Sequence, residues 1–372
     1  MVTLVVTQGS GSLNLYSQKL AQKLDTPKVY TDIYRRVSGS FNISWFSKEA
    51  LKAIPEDWNF IKTLNKLNGV VHLPNQHLGR YGNFLKIPYI ITVHDLIRYF
   101  DLKRYGTYIH SPNRRDKFYL NLDYKGVKKA ARIIAVSQAT KKDLMYYLGI
   151  PEERISVIYE GIDHTVFKPL AHPNKLGYPY ILFVGSEHPR KNLPALLKAF
   201  KRLEEQPQFK NLKLVKVGKA GGREVDFREQ TMEVINSLNL NSEVIFTEFI
   251  SVEDLRAYYC GAQCLVLPSM YEGFGFPPLE AMACGCPVIT SDGSSLPEVA
   301  GEAAIKVSPQ DVEGLATVLE KVLTNQELRK SLITKGMEQA VKFSWERTAK
   351  ETLKVYNEVE EELNYIQKSK VK

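Results

Sequence analysis

Short apolar runs alternate along the whole chain with longer segments of helical periodicity. In the first half the runs predict strands at Val2–Val6, Val70–Leu73, Tyr89–Val93, Arg132–Val136 and Ile155–Ile158. In the second half they predict strands at Tyr180–Val184, Lys213–Val217, Glu243–Thr247, Gln263–Leu267, Pro287–Thr290 and Ala304–Val307. Several of these runs are almost wholly apolar, which is typical of parallel sheets covered by helices on both faces. The alternation therefore predicts an α/β chain with two doubly wound, Rossmann-like sets of strands.

A stretch rich in proline and glycine with little periodicity, Phe167–Pro179, predicts the joint between two domains. We place the first domain at 1–170 and the second at 178–348. The chain ends in a strongly helical segment that runs from Trp345 to about Ile366. Ligands of open parallel sheets bind at the carboxyl ends of the strands. We therefore expect the site in a central cleft that the two domains face.

The composition is that of an ordinary globular protein, with 372 residues, 44% of them hydrophobic and 24% charged. It excludes disordered, collagen-like and coiled-coil classes. No apolar run reaches the length of a membrane-spanning helix, and Met1–Thr7 is typical of a first strand rather than a signal peptide. These features predict a cytoplasmic protein.

Four cysteines cluster at Cys260, Cys264, Cys284 and Cys286, and such a cluster suits either a zinc site or buried small residues. Cys264 opens an apolar, strand-like run, which favours burial. We predict no metal at these cysteines.

The net charge of +9 is unevenly spread: residues 1–170 hold 25 Lys and Arg against 14 Asp and Glu, and the remainder holds 25 against 27. The segment Arg98–Lys142 alone holds 12 basic residues against three acids, with tyrosines and phenylalanines interleaved. Such a segment suits an anionic membrane surface or a lipid-diphosphate acceptor, and it equally suits a solvated helix face. Nucleic acid is a poorer interpretation, because no binding motif accompanies the charge.

The strongest chemical signal is Ser269–Gly285, where a strand runs through a glycine-bearing turn into a short helix with a proline in its first turn. Gly273 and Gly275 leave backbone N–H groups open to the oxygens of a ligand. Glu272 and Glu280 lie before the turn and inside the helix. Two carboxylates at that spacing can accept hydrogen bonds from different hydroxyls of one polyol ligand.

The second signal is Phe183–Pro194, where another strand leads through a loop into a predicted helix, Leu193–Leu203. Arg190 and Lys191 lie just before the start of that helix, a position that favours anions through its open N–H groups and dipole. The two cations there predict a pyrophosphate-binding site.

A third signal is His94, which precedes Asp95 at the end of a strand of the first domain and is a candidate for the active site. The chain contains no Asp-x-Asp motif, which argues against a metal-bound diphosphate.

The loop after the first strand, Thr7–Asn14, nearly matches the dinucleotide fingerprint, and Asp32 follows at about the right distance. The third glycine is replaced by Asn14. The alternative interpretation is a flexible loop that faces phosphate or acceptor.

At these residues the chain resembles glycosyltransferase family 4, retaining enzymes of the GT-B fold. Glu272 and Glu280, with seven residues between them, are similar to the family's signature pair. Phe183–Asn192 resembles its Gly-x-x-x-x-Arg-Lys-Asn phosphate loop, and Ser291–Pro309 resembles the usual continuation. Phe343–Trp345 resembles the start of a C-terminal helix whose part 349–372 returns to the first domain.

The resemblance implies that Arg190 and Lys191 hold the donor diphosphate and neutralise the leaving group. It implies that Glu272 holds hydroxyls of the transferred sugar and that Glu280 binds the donor ribose. The implied donor-binding residues are Gly185, Ser186, Arg190, Lys191, Gly273, Phe274, Gly275 and Glu280.

On the acceptor side, the resemblance implies that His94 lies by the anomeric region of the sugar. It implies that the loop of Gly9, Ser10 and Gly11 faces acceptor and phosphate. The implied catalytic residues are His94, Arg190, Lys191 and Glu272, with no metal and no cofactor besides the donor substrate.

The predicted function is therefore a retaining hexosyltransferase of the mannose or glucose type. It would use a nucleoside-diphosphate sugar and a glycan or lipid-linked acceptor in the synthesis of a cell-surface polysaccharide or glycolipid. The location would be cytoplasmic, with peripheral binding to the inner face of the membrane if the basic segment has that role. The alternatives are an NAD-dependent dehydrogenase, a GT-B sugar-nucleotide epimerase and a non-catalytic binding subunit.

Overall fold

A computed structural model describes residues 1–9, 11–32, 48–106, 108–171, 176–221, 227–248 and 250–371. The chain divides into two compact units that are not continuous in sequence. Unit 1 comprises Met1–Lys103, Ser111–Gly161 and Trp345–Lys372, and unit 2 comprises Arg104–His110 and Ile162–Ser344. The domain limits 1–170, 178–348 and 349–372 stay predictions.

Unit 1 contains a six-stranded parallel sheet of order β2-β1-β3-β4-β5-β6. Its strands are β1 Val2–Thr7, β2 Lys28–Thr31, β3 Val70–Leu73, β4 Tyr89–Val93, β5 Arg132–Ala135 and β6 Ile155–Val157. Its helices are α1 Ser12–Lys23, α2 Lys48–Asn65, α3 Gly79–Gly82, α4 Ile97–Lys103, α5 Arg114–Lys129, α6 Gln138–Leu148 and, at the end of the chain, Trp345–Val371.

Unit 2 contains a second six-stranded parallel sheet, of order β12-β11-β10-β7-β8-β9. Its strands are β7 Tyr180–Val184, β8 Lys213–Val217, β9 Val244–Thr247, β10 Cys264–Leu267, β11 Val288–Ser291 and β12 Ala304–Val307. Its helices are α7 Leu193–Glu204, α8 Phe227–Ser237, α9 Val252–Gly261, α10 Phe276–Ala283, α11 Leu296–Ala300, α12 Val312–Thr324 and α13 Gln326–Ala340. The helix at the end of the chain, Trp345–Val371 of unit 1, is α14.

The two doubly wound parallel sheets confirm the predicted fold class. All the strands predicted from apolar runs are present, within a residue or two at each end. The sequence analysis missed β2, an edge strand of four residues whose first three positions are half-buried or exposed. An edge strand of this kind shows little apolar signal, because it is not covered on every side.

The direction of strand order reverses between β1 and β3 in the first sheet and between β7 and β10 in the second. Such a reversal opens a crevice at the carboxyl ends of the two central strands, which is where open α/β sheets bind ligands. In unit 2 the segments after β7 and β10 are the two strongest motifs of the sequence. Within the described ranges, no helix is long and apolar enough to cross a membrane.

Candidate functional site at the switch point of the second sheet

The loop after β7, residues 185–192 (the β7 loop), crosses the switch point and ends in a single turn before α7. Gly185 has a φ of +154°, and a Cβ there would lie 3.3 Å from Cε of Lys191. A side chain at position 185 would therefore push on the lysine that the loop presents. Pro194 lies in the first turn of α7, where a missing N–H costs nothing.

Asn192 joins the β7 loop to the end of β10. Its Nδ2 donates to the carbonyl oxygens of Pro268 at 3.1 Å and of Pro309 at 2.7 Å. The backbone N–H of Met270 donates to the Arg190 carbonyl oxygen at 2.7 Å. These bonds hold the β7 loop and the segment after β10 as one assembly.

Glu272 forms ion pairs with both cations of the β7 loop. Its Oε2 lies 2.7 Å from Nη1 of Arg190, and its Oε1 lies 2.6 Å from Nζ of Lys191. Lys191 and Glu272 are each 7% exposed. Burial alone would raise the pKa of Glu272, but Arg190 and Lys191 outweigh it and lower that pKa to about 2. Glu272 is therefore ionised at neutral pH, and burial lowers the pKa of Lys191 against the opposing effect of Glu272.

Two serines of the segment after β11 hold the glycine-bearing turn in place. Ser294 Oγ accepts from the Glu272 backbone N–H at 2.7 Å, and it lies 2.6 Å from the Glu272 carbonyl oxygen. Ser295 Oγ lies 2.9 Å from that carbonyl and 2.6 Å from the carbonyl of Phe274. The turn is thus fixed by neighbours and does not depend on a ligand for its shape.

Glu280 lies inside α10, and its Oε2 accepts a 2.7 Å hydrogen bond from the hydroxyl of Tyr259 on α9. Burial raises the pKa of Glu280 to about 7, and the Tyr259 bond opposes that rise. The pKa values of the two glutamates are therefore shifted in opposite directions, so that Glu272 is ionised and Glu280 is about half ionised at neutral pH.

In unit 1, His94 is buried at the end of β4 with both ring nitrogens bonded to the protein. Nδ1 lies 2.8 Å from Oε1 of Glu160, and Nε2 lies 2.9 Å from the carbonyl oxygen of Pro74. Burial alone would lower the pKa of His94, but the carboxylate of Glu160 outweighs it and raises that pKa. Because a carbonyl can only accept, the geometry assigns a proton to Nε2 and an imidazolium paired with Glu160.

Gly9 and Gly11 of the predicted loop lie between β1 and α1, at the switch point of the first sheet. Gly9 and Gly11 have φ values of +131° and +141°. Gln18 Nε2 donates to the Gly9 carbonyl oxygen at 3.1 Å. Ser10 lies outside the described residues, so its predicted role stays a prediction.

The four cysteines are free thiols, with Cys260 half-buried and the other three buried. In the part of the chain that the structure describes, no group of three or more His, Cys, Asp and Glu side chains is placed to hold a metal ion.

Two family descriptions match adjacent parts of the chain. Residues 4–166 match Glycosyltransferase Family 4, and residues 167–339 match Glycosyl transferases group 1. The chain belongs to the group 1 glycosyltransferases.

Curated relatives of this family member include two Escherichia coli proteins. The serotype-specific mannosyltransferase WbdA is 33% identical over 272 residues, 70% of this chain and 32% of WbdA. The O-antigen chain mannosyltransferase B is 28% identical over 255 residues, 66% of each protein. The chain thus spans about a third of the length of WbdA.

Solved structures share the fold of both units at low identity. Sucrose-phosphate synthase from Thermosynechococcus elongatus superposes with a TM-score of 0.74 at 21% identity, covering 96% of this chain and 98% of that one. Anabaena HepE in complex with UDP and glucose superposes with a TM-score of 0.75 at 17% identity, covering 96% and 99%.

The structure brings Arg190, Lys191 and Glu272 into direct contact and places Glu280 on the helix that follows. Sequence reasoning missed the partners Tyr259 and Glu160. Nothing in the sequence pairs Glu160 with a histidine 66 positions earlier.

Proposed function

We propose that this protein is a retaining hexosyltransferase of the mannose or glucose type. It transfers the sugar from a nucleoside-diphosphate donor to a glycan or lipid-linked acceptor in polysaccharide or glycolipid synthesis. The observation that carries the proposal is the contact of Arg190 and Lys191 with Glu272 at the switch point of the second sheet. A buried lysine and a half-buried arginine at that position suit a diphosphate that arrives with its own negative charge.

In the proposed reaction the bond between the anomeric carbon and the diphosphate oxygen breaks, and a new bond forms from that carbon to the acceptor hydroxyl on the same face. The acceptor proton goes to the departing phosphate oxygen. Arg190 and Lys191 stabilise the negative charge that develops on the diphosphate. Because they are held in place before the donor binds, little reorganisation is needed during the reaction.

Glu272 has two tasks in this proposal. Without donor it neutralises the buried Lys191 and the half-buried Arg190, which is necessary because an unpaired buried charge is costly. With donor present the phosphates supply that neutralisation, and the Glu272 carboxylate and the backbone of Gly273–Gly275 accept and donate to sugar hydroxyls. Glu280 binds the ribose hydroxyls, and it binds them more strongly when ionised, because hydrogen bonds to a charged carboxylate are stronger than those to the neutral acid.

In unit 1 we propose that His94 and the loop of Gly9, Ser10 and Gly11 serve the reaction from the acceptor side. Both ring nitrogens of His94 are bonded to protein groups, so we assign it a positioning role rather than proton transfer. We propose that no metal is required, since the two cations supply the charge that a metal would otherwise bring.

The relatives support this proposal through the activities in their names: WbdA and the O-antigen chain mannosyltransferase B are named as mannosyltransferases. The solved structure of HepE is a complex with UDP and glucose. These names favour a hexose and a nucleoside diphosphate for this chain as well.

Thermal shift with UDP-, GDP- and ADP-sugars tests the proposal. A donor at 100 times its dissociation constant should stabilise the fold by about 2.7 kcal/mol. Stabilisation by NAD alone would point to the dehydrogenase instead, and donor turnover without acceptor would point to the epimerase. Transfer that persists in EDTA would support metal independence, and the anomeric configuration of the product, read by NMR, tests retention.

We also propose that α5 binds an anionic membrane surface at the cytoplasmic face. Its two acids are buried, and Asp123 accepts two hydrogen bonds from Arg80 while Asp116 lies 3.6 Å from Arg98. The residues of this helix that are exposed to solvent are Arg114, Phe118, Asn121, Lys125, Lys128 and Lys129. The exposed side of α5 therefore carries cations and an aromatic ring without a carboxylate, which suits anionic headgroups.

Sedimentation with vesicles tests this surface. Phosphatidylglycerol vesicles should bind the protein and phosphatidylcholine vesicles should not, and Lys125→Glu with Lys128→Glu should abolish binding. Lys321→Glu, an exposed position on α12, is the matched control. Equal sedimentation of both variants with the anionic vesicles would favour a merely solvated helix face.

A further inference from the structure

A cluster of three charged side chains joins Glu187 of the β7 loop to Lys216 and Arg228, and none of the three was assigned a role in the site described above. Lys216 stands in the interior of β8, where its neighbours along the strand are apolar. Its Nζ lies 2.8 Å from Oε1 of Glu187, and both side chains are 0% exposed. Arg228, at the start of α8, pairs with the same carboxylate at 2.8 Å.

The Lys216 ammonium bridges the β7 loop and the segment that follows β8. Besides Glu187, it donates to the carbonyl oxygens of Gly218 at 2.5 Å and of Lys219 at 3.0 Å. A lysine ammonium has three N–H donors and no acceptor, so all three are used. The bonds join Glu187, a member of the β7 loop, to residues 218–221, which we name the β8 loop.

Arg228 is the second cation that binds the Glu187 carboxylate. Its Nε lies 3.0 Å and 3.2 Å from the two Glu187 oxygens, and its guanidinium lies 4.0 Å from the centre of the Phe246 ring on β9. Its side chain is 27% exposed. The planar fork of arginine thus fixes the orientation of the carboxylate and packs on an aromatic face as well.

The two loops are also in direct contact. The Glu187 backbone N–H donates to the Ala220 carbonyl oxygen at 2.6 Å. Gly221 has a φ of +81°, and a Cβ there would lie 2.6 Å from Nε2 of His188 and 3.0 Å from Cβ of Ser186. Only glycine allows this approach, so the β8 loop forms the support on which the β7 loop rests.

We propose that Glu187, Lys216 and Arg228 are positioning residues that hold the β7 loop in the shape that binds the donor diphosphate. This inference rests on the proposed function. Three buried or half-buried charges are a costly way to stabilise a fold, because apolar residues of similar volume usually do as well. They do provide directional bonds, which set the place of Ser186 and Arg190 more closely than apolar packing would.

The cluster predicts a particular kinetic signature. Loosening the β7 loop weakens donor binding and reduces the preorganisation of Arg190 and Lys191, so KM and Kd for the donor rise and kcat falls as well. A cluster with only a structural role would leave KM and Kd unchanged, since partial unfolding lowers the active fraction and thus kcat alone.

The test compares Arg228→Met with Arg202→Met, a control that removes an exposed arginine of α7 paired with Glu313. We expect Arg228→Met to raise the donor KM on the order of tenfold, with Kd for the nucleoside diphosphate rising in parallel. Arg228→Lys should restore part of the affinity, because it returns the charge without the fork. The control should behave as the unsubstituted protein.

The double variant Glu187→Gln with Lys216→Met removes the buried charges together and so avoids leaving either one unpaired. It should stay folded by circular dichroism and show the same rise in KM. An unchanged KM and Kd in both variants, with an active unsubstituted protein, would overturn the positioning role. If the unsubstituted chain binds none of GDP, UDP and ADP in calorimetry, the proposed function fails and this inference falls with it.

Discussion

The ammonium of Lys191 lies 2.6 Å from the carboxylate of Glu272, although the two residues are 81 positions apart and both are buried. The contact joins the ends of β7 and β10 at the point where the strand order of the second sheet reverses. Arg190 completes the set from the same loop. The arrangement keeps positive charge in a buried place where an anionic ligand can use it.

Loss of Lys191 should therefore remove transfer while the fold survives. We expect Lys191→Ala to lower kcat by on the order of 10²–10³-fold, because one preorganised donor to the departing diphosphate is lost. Arg190 still neutralises Glu272, so the far-UV circular dichroism should be unchanged. Initial rates with a saturating donor sugar measure the effect.

Lys198→Ala is the matched control, since Lys198 lies on the exposed side of α7. It should keep full activity. A Lys191→Ala protein with the rate of the control would remove the diphosphate assignment.

Glu272 should make the protein sensitive to acid. Its pKa falls from the ordinary 4.5 to about 2 in the folded state, so its stabilisation is present above pH 4.5 and is lost as the pH falls towards 2. At pH 6 we expect Glu272→Gln to lower the free energy of unfolding by about 3 kcal/mol, and the deficit should shrink in acid. Urea denaturation at a series of pH values measures it.

Glu302→Gln provides the comparison, because Glu302 is an exposed carboxylate paired with Lys306. Its effect should be small at every pH, as for exposed ion pairs in general. A Glu272→Gln deficit that is independent of pH would contradict the assigned pKa.

Donor affinity should rise with pH through the titration of Glu280. In the proposed site the ionised carboxylate of Glu280 would bind the ribose hydroxyls more strongly than the neutral acid would, and the pKa of Glu280 is about 7. Affinity for a nucleotide sugar should therefore increase up to about tenfold between pH 6 and pH 8. Glu280→Gln should flatten the profile, which calorimetric titration measures.

The hydroxyl of Tyr259 should set the pH range over which the donor affinity rises. It lowers the pKa of Glu280, so Tyr259→Phe should shift the rise in affinity to higher pH. Tyr258→Phe removes the same group from the adjacent residue and should leave the profile in place. Coincident profiles for both variants would refute the role of the Tyr259 bond.

The Glu160 and His94 pair should stabilise unit 1 most at lower pH. Because the pKa of His94 is raised in the folded state, its contribution is full below 6.5 and is lost as the pH rises through the folded value. We expect Glu160→Gln to destabilise the protein by about 3 kcal/mol at pH 6, since it leaves a buried imidazolium unpaired. The deficit should decrease in alkaline solution.

Glu152→Gln breaks the exposed pair with Lys141 and is the matched control. Urea denaturation from pH 5.5 to pH 9.5 follows both proteins. If the deficit of Glu160→Gln instead grows with pH, His94 is neutral in the fold and the assigned imidazolium is wrong.

Local features of the sequence were enough to predict the strands and the two loops of the site. Apolar runs of five residues such as Tyr180–Val184 favour a covered strand, and the glycines and prolines around Glu272 and Glu280 mark a turn and a helix start. The edge strand β2 was not predicted, because its residues are largely exposed or half-buried and show no apolar run. Each unit is also made of separate segments of the chain: Arg104–His110 belongs to unit 2 although the segments before and after it belong to unit 1. A single domain boundary in the sequence cannot describe such a division.

The sequence by itself therefore determined the order of strands and helices, the parallel arrangement and the residue types at the ends of β7 and β10, since these depend on short-range periodicity and backbone preference. Tertiary structure decided which charges meet: Lys191 with Glu272, His94 with Glu160, and Lys216 with Glu187. Those contacts join residues that are 29 to 81 positions apart. Their pKa values follow from burial and from neighbours across the sheet, which no local pattern contains.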